Sequence, residues 1–264
     1  MLYKDVAAFF DKVALTYDQS IPFFSRFSHH LLTNMALADG MSVLDIGTGN
    51  ASFLPLPLLF PKISLTGIDV SHRMLQVAQL RPFAPLLSAR FVQSDAHALP
   101  FQDNIFDAVY ACSVWPFFSD QRRVASEVRR VCKVGAEFSL CLLSSSHHNW
   151  GFFNTTLNTY VALTPSIPPP PLSEEARVID CLRSAGWDNF VTSKEDFTFH
   201  FESVDQWWQW QCAHYGRRHF DKLSDQMFQR FKNDIYAKAS VVFQDEGLWL
   251  KQNLILVRSK KALH

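Results

Sequence analysis

No run of apolar residues in the 264-residue chain reaches the ~18 residues that cross a bilayer as a helix. The opening Met1-Leu2-Tyr3-Lys4-Asp5 lacks the basic and apolar regions of a secretory leader. Net charge is also missing, because 25 basic residues cancel 25 acidic ones. A protein that neutralises nucleic-acid phosphates usually carries a basic excess, and a strongly acidic chain would point to cationic partners. Cysteine is sparse and unpatterned: Cys112, Cys132, Cys141, Cys181 and Cys212 are odd in number, far apart and without a Cys-x-x-Cys pair. That pattern favours reduced thiols. The expectation is a soluble cytoplasmic protein with no membrane span and no nucleic-acid partner.

What is abundant is apolar and aromatic side chain, 48% hydrophobic with 24 Phe and seven Trp. This suffices for one large core, and the length is near the upper size for a single one. One domain with an appended lid is therefore expected rather than two independent domains. An aromatic excess also suits an aromatic-lined pocket.

The chain is organised around Ser42-Val43-Leu44-Asp45-Ile46-Gly47-Thr48-Gly49-Asn50. Val43, Leu44 and Ile46 fit a strand buried on both faces, while Gly47 and Gly49 permit backbone angles and a close ligand approach that a Cβ would obstruct. A second apolar stretch, Leu65-Thr66-Gly67-Ile68-Asp69, ends in an acid 22 residues after Gly47. A carboxylate about 20 residues on, at the end of the second strand, accepts hydrogen bonds from a ribose diol in nucleotide-binding α/β sites. Turn and acid together point to a bound adenosine. The dinucleotide fingerprint needs a third glycine where Ser52 stands, which weakens that reading.

Further along come Ser94-Asp95-Ala96-His97-Ala98-Leu99-Pro100-Phe101 and Phe106-Asp107-Ala108-Val109. With Leu-Asp-Ile-Gly-Thr-Gly and Gly-Ile-Asp-Val-Ser-x-x-Met-Leu before them, residues 42–142 resemble the class I S-adenosylmethionine-dependent methyltransferases. The group in question includes ubiquinone- and menaquinone-biosynthesis and many small-molecule enzymes. The resemblance implies a Rossmann-like α/β fold: a seven-stranded, mostly parallel sheet with an antiparallel last strand, helices on both faces and a helical lid. It implies S-adenosyl-L-methionine as cofactor. Gly47, Thr48 and Gly49 would hold its methionine and ribose side, Asp45 its amino group, Asp69 the ribose hydroxyls, and Val70, Asp95 and Ala96 the adenine. Met74 would pack nearby, a plain core methionine being the alternative. Phe10 to Asp18 looks like the family's N-terminal motif, whose tyrosine, here Tyr17, reaches the methionine end.

In order along the chain, apolar spacing predicts helices over 3–18 and Phe23–Leu37 and a short or broken one at Pro55 and Pro57. Ser71 should cap a helix to Leu80, and Asp120 one to Lys133. Strands are expected at Phe91–Gln93, Phe106–Ala111 and Glu137–Leu143. Cys112 to Phe117 would then lie at the ligand edge of the sheet, with Cys112 towards the cofactor and Trp115 either in an acceptor pocket or plugging the sheet edge. Residues 144–150 should form a loop at that edge, where His147 or His148 would act as general base unless both are ordinary surface histidines. The pair lacks zinc-site spacing, so no metal is expected. Pro168–Pro171 reads as a stiff linker, Ser173–Ala185 as a helix and Asn189–Phe201 as a strand.

Residues 203–245 read as helices, with breaks near 220 and 232, inserted before a last strand at Asn253–Arg258. The division expected is a helical cover (1–40), a cofactor-binding core (41–202), a lid (203–245) and a closing strand with tail (246–264). Trp150, Trp207, Trp208 and Tyr215 are candidates for acceptor contacts, with core packing as the alternative for each. The function implied is methyl transfer to a small apolar or aromatic acceptor. The alternatives are a cofactor-binding scaffold used for another reaction such as cyclisation or for partner binding, and an RNA or protein methyltransferase.

Overall fold

A computed structural model describes residues 3–51, 62–82, 89–161 and 174–262. The expected broken helix at Pro55 and Pro57, the Pro168–Pro171 linker and the Ser173 helix start lie outside these residues. The described elements are α1 (Tyr3–Val13), α2 (Phe23–Thr33), β1 (Ser42–Ile46), β2 (Ser64–Asp69), α3 (His72–Gln79), β3 (Arg90–Gln93), β4 (Phe106–Cys112), α4 (Gln121–Val131), β5 (Cys132–His148), α5 (Gly151–Val161), α6 (Glu175–Ser184), β6 (Trp187–Phe201), α7 (Val204–Ala213), α8 (Asp225–Glu246) and β7 (Leu248–Lys261). Short 3-10 turns cover Trp115–Phe117 and Tyr215–Lys222.

Seven strands form one sheet in the order β3-β2-β1-β4-β5-β7-β6. Pairings are parallel from β3 through β5, and β7 runs antiparallel to both β5 and β6. The predicted α/β fold with an antiparallel last strand is therefore present. After β1 the chain builds outward through β2 and β3, then returns to place β4 on the other side of β1. This reversal opens a crevice at the carboxyl ends of β1 and β4, the place where ligands bind in open α/β sheets.

Alternation along the strands divides the core. Leu44, Ile46, Val109, Phe138 and Leu140 face α4 and α6, whereas Val43, Ala108, Tyr110 and Cys141 face α2 and the aromatic side of the molecule. On that second side Trp207, Trp208, Phe231 and Ile235, from α7 and α8, pack with Phe153 of α5 and Phe23 and Phe27 of α2. No helix among the described residues is long and apolar enough to cross a membrane.

Several boundaries differ from the sequence expectation. β5 does not stop at Leu143: after a register shift, Ser146, His147 and His148 pair with Gln252, Lys251 and Leu250 of β7. Residues 144–148 are thus strand rather than loop, because the long partner strand supplies a ladder to a polar stretch that has no apolar signal of its own. The segment expected to lead into a linker opens with α5, anchored by buried Phe153 and Leu157. The two helices expected between 220 and 242 are one 22-residue helix, α8, with no Gly or Pro inside it to break it. α1 ends at Val13, and the chain turns at Asp18, whose φ of 57° closes the link to α2.

Candidate functional site

The Gly47–Gly49 turn is fixed by backbone hydrogen bonds to the end of the neighbouring strand: the N–H groups of Gly47 and Thr48 both donate to the Ile68 carbonyl, at 2.8 and 2.9 Å. Gly47 has φ +72°, and a Cβ there would lie 2.6 Å from the Val114 side chain. Gly49 has φ +55° with open space where its Cβ would be, so this turn presents bare backbone to the crevice. Asp69, at the tip of β2, faces the turn. Its Oδ2 accepts the Gly49 N–H at 2.9 Å and its Oδ1 the Ser71 N–H at 2.8 Å. Each oxygen keeps lone-pair capacity for a further donor.

Around this turn lies a cleft of about 1140 Å³, counting the space at its open mouth. Its walls include Asp45, Gly47, Thr48 and Gly49 from β1 and the turn, and Asp69 and Val70 from β2. Met74 of α3, Asp95 and Ala96 after β3, Cys112 of β4 and Tyr17 before α2 complete the set expected at the cofactor. The structure brings all of these residues to one cavity.

The electrostatics of the cleft are those of enclosed acids. Burial lifts Asp69 to a pKa of about 6, against hydrogen bonds from the Ser71, Gly49 and Val70 backbones and with Asp11 adding repulsion. Burial lifts Asp45 to about 7, partly offset by the Thr48 and Tyr110 hydroxyls, while Asp69 raises it further. Among the described residues no Lys or Arg lines the cavity. A ligand carrying positive charge and hydroxyl donors would relieve these carboxylates, and a sulfonium nucleoside has both. The residues present thus fit S-adenosylmethionine.

The same lining carries a cluster of aromatic rings. The Tyr17 ring stacks on Phe24 at 5.0 Å and 9°, and Phe10 meets both Tyr17 and Phe117 edge-on. Burial, followed by Asp18, Cys112 and Asp69, raises the Tyr17 pKa well above the usual value, so it is a neutral phenol. Ser28, one turn after Phe24 on α2, also lines the cavity. The Cys112 thiol is pushed down, chiefly by a hydrogen bond from Cys141, its register partner on β5, and also by the Ser28 and Ser113 hydroxyls, against burial and Asp45.

The remaining sequence candidates sit elsewhere. Trp115 is fully buried between the sheet and α4, edge-on to Phe118 at 5.7 Å. Trp150 is buried against Phe201 and Trp207. Trp207 and Trp208 lie within the α5–α7–α8 aromatic core, Trp208 stacked on Phe220 at 5.6 Å. None of the four borders the cavity, which corrects the expectation that they contact an acceptor: each is enclosed by other rings. The Tyr215 side chain lies outside the described residues. His147 is exposed on β5, and His148 stacks on Trp150 at 4.5 Å and 2° with its pKa lowered by burial. Neither borders the cavity, so the expected base role loses its geometric footing. Among the described residues no cluster of three metal-ligating side chains occurs.

Sequence reasoning passed over Phe24, Ser28, Tyr110 and His97. The first two share a helix face at i, i+4, a readable signal. His97 follows Asp95 by two residues, the spacing at which an Asp side chain accepts a backbone N–H.

Comparison with known proteins agrees with the geometry. The family described as "Methyltransferase domain" matches residues 44–140. The chain is 33% identical over 136 residues to demethylmenaquinone methyltransferase of Thermotoga maritima, covering 49% of this chain and 58% of that one. It is 38% identical over 104 residues to phosphatidylethanolamine N-methyltransferase of Cereibacter sphaeroides, covering 38% and 49%. The chain thus spans about half the length of these curated relatives. The solved structure of Haemonchus contortus phosphoethanolamine N-methyltransferase 2 with S-adenosyl-L-methionine superposes with a TM-score of 0.60, at 17% identity, over 96% of this chain and 57% of that one. At that identity the likeness speaks for the fold. Sequence match, strand order and cavity together make residues 44–140 a class I S-adenosylmethionine-dependent methyltransferase domain.

Proposed function

We propose that the chain transfers the methyl group of S-adenosylmethionine to a small, uncharged, apolar or aromatic acceptor. The observation that carries this reading is one cavity lined both by the carboxylates Asp45, Asp69 and Asp95 and by the rings of Phe10, Tyr17, Phe24 and Phe117. The relatives are named for demethylmenaquinone and phosphatidylethanolamine, so membership of the family leaves the acceptor open. The chemistry of this cavity narrows it. None of its described lining residues is a Lys or Arg that would pair with a phosphate or carboxylate on the acceptor.

The cofactor supplies an already activated methyl group, and the protein contributes alignment and exclusion of water. Asp69 accepts the ribose hydroxyls, held in place by the Gly49 and Ser71 amides. Asp45, with the Thr48 hydroxyl, serves the amino end. Asp95 takes the adenine edge. Tyr17 and Phe24 wall the transfer site with aromatic faces that favour cationic charge near them. No basic side chain is required, since any ionisable acceptor proton can leave to solvent at the open mouth.

The test is release of S-adenosylhomocysteine by the purified protein across a panel of neutral phenols, quinols and thiols, with phosphorylated analogues of the same compounds as controls. Turnover of neutral members alone supports the proposal, and equal turnover of phosphorylated ones contradicts the acceptor class. Cofactor binding with no release across the panel would leave a cofactor-binding scaffold with another role.

A further inference from the structure

We propose that His97 is a positioning residue for adenine recognition: its imidazole ties Asp95 to the N-terminus of α4 and thereby leaves one Asp95 oxygen aimed at the base. This rests on the cofactor reading above. The ring's protonation pattern follows from its partners. The backbone N–H of Asp120 lies 3.1 Å from His97 Nε2, and a backbone N–H can only donate. Nε2 therefore holds a lone pair, which the Ser119 hydroxyl also approaches at 3.2 Å. The ring proton is then on Nδ1, 2.5 Å from Asp95 Oδ1.

The same Oδ1 accepts the backbone N–H of His97 at 2.9 Å. Two donors thus hold one oxygen, and no described residue donates to Oδ2, which is left for an incoming donor. The histidine is itself held from α4, where Arg123 Nε donates to the His97 carbonyl at 2.7 Å and Asp120 caps the helix through the Arg123 N–H at 3.0 Å. His97, Asp95 and Ser119 all line the cavity. One imidazole therefore couples the loop after β3 to the loop after β4, the two walls between which a purine would lie. A carboxylate oxygen fixed as an acceptor favours the amino group of adenine over the carbonyl that hypoxanthine carries at the same position.

The test is the affinity ratio for S-adenosyl-L-homocysteine over S-inosyl-L-homocysteine, measured by calorimetry on wild type, His97→Asn and His97→Gln, with melting curves as a control for folding. Asparagine places an N–H near the Nδ1 position and keeps the donor to Asp95. Glutamine reaches the Nε2 position and keeps the Asp120 contact alone. Loss of a hydrogen bond to a charged group makes the expected fall in the ratio about tenfold for His97→Gln, with His97→Asn within about threefold of wild type. A merely structural histidine would change both affinities together and leave the ratio alone. Wild-type binding with an unchanged ratio in His97→Gln, or equal losses in the two variants, would overturn the role of His97. Failure of the wild type to bind either nucleoside would overturn the cofactor reading itself and this proposal with it.

Discussion

Asp69 and Asp45 hold their protons in the folded, ligand-free protein to about pH 6 and 7, whereas an unfolded chain loses them near 4. Between these limits the native state binds more protons than the unfolded one, so their contribution to stability is complete below about pH 4 and fades as pH rises through 6 to 7. Replacing Asp45 by Asn removes the cost of burying the charge. Melting curves of Asp45→Asn should lie about 2–4 °C above wild type at pH 8 and nearly coincide with it at pH 5. Cofactor binding has the opposite sign, because ribose hydroxyls and the sulfonium require ionised acids. Affinity for S-adenosylmethionine should rise as pH goes from 5 to 8, with proton release detectable by calorimetry in buffers of different ionisation enthalpy. Gly47 offers a steric test at the same scale. A Cβ there meets Val114 and a left-handed backbone at once, so Gly47→Ala should cost about 2–3 kcal/mol in denaturant unfolding. These acids and glycines were legible in the sequence because they stand at a fixed motif spacing, the glycines in the turn after β1 and the acid at the end of β2. His97 was not, because half of its partners come from α4, more than 20 residues later.

At the scale of elements, several helix starts were legible where a hydroxyl or carboxylate stood before an apolar stripe, although the Ser224 cap of α8, which accepts the Met227 N–H, was not. Ser71 accepts the Met74 N–H, Asp120 the Arg123 N–H and Ser203 the Gln206 N–H. The length of β5 and the unity of α8 were not legible, because the first depends on the strand beside it and the second on packing by Phe231, Ile235 and Ala239. Ser71 also does more than cap. Its hydroxyl lies 2.6 Å from Asp11 Oδ1, which accepts the Arg73 N–H at 2.9 Å, so a carboxylate of α1 sits at the N-terminus of α3. Through this contact α1 is held beside the cavity it helps to wall. Ser71→Ala should lose about 1–2 kcal/mol by denaturant unfolding, and because α1 loosens with it, the affinity for S-adenosylhomocysteine should fall as well.

For the whole molecule, the mostly parallel seven-stranded sheet with its antiparallel last strand and the location of the crevice followed from motifs in their family order, while the fate of the aromatics did not. Periodicity says that Trp207 and Trp208 share a helix with an apolar face, but only packing decides whether that face meets a ligand or another ring. Here the described residues of α7 and α8 join α5 and one face of α2 in an aromatic core, and the rings that line the cavity come from α1, Tyr17, α2 and the loop after β4. Acceptor selectivity should follow that division. Phe24→Ala is expected to raise KM for the acceptor about tenfold or more with S-adenosylhomocysteine affinity nearly unchanged. Trp208→Ala should instead cost about 3–5 kcal/mol of stability and leave KM of the surviving folded fraction close to wild type.

The most direct test of the central claim, that this crevice is an S-adenosylmethionine site organised by Asp69, is calorimetric titration of wild type and Asp69→Ala with S-adenosylmethionine and S-adenosylhomocysteine at pH 8. Wild type is expected to bind both ligands, and the variant, folded by its melting curve, to bind each about 100-fold more weakly, from the loss of two hydrogen bonds to a charged group. Equal binding by wild type and variant, or no binding of either ligand by wild type, would contradict that claim.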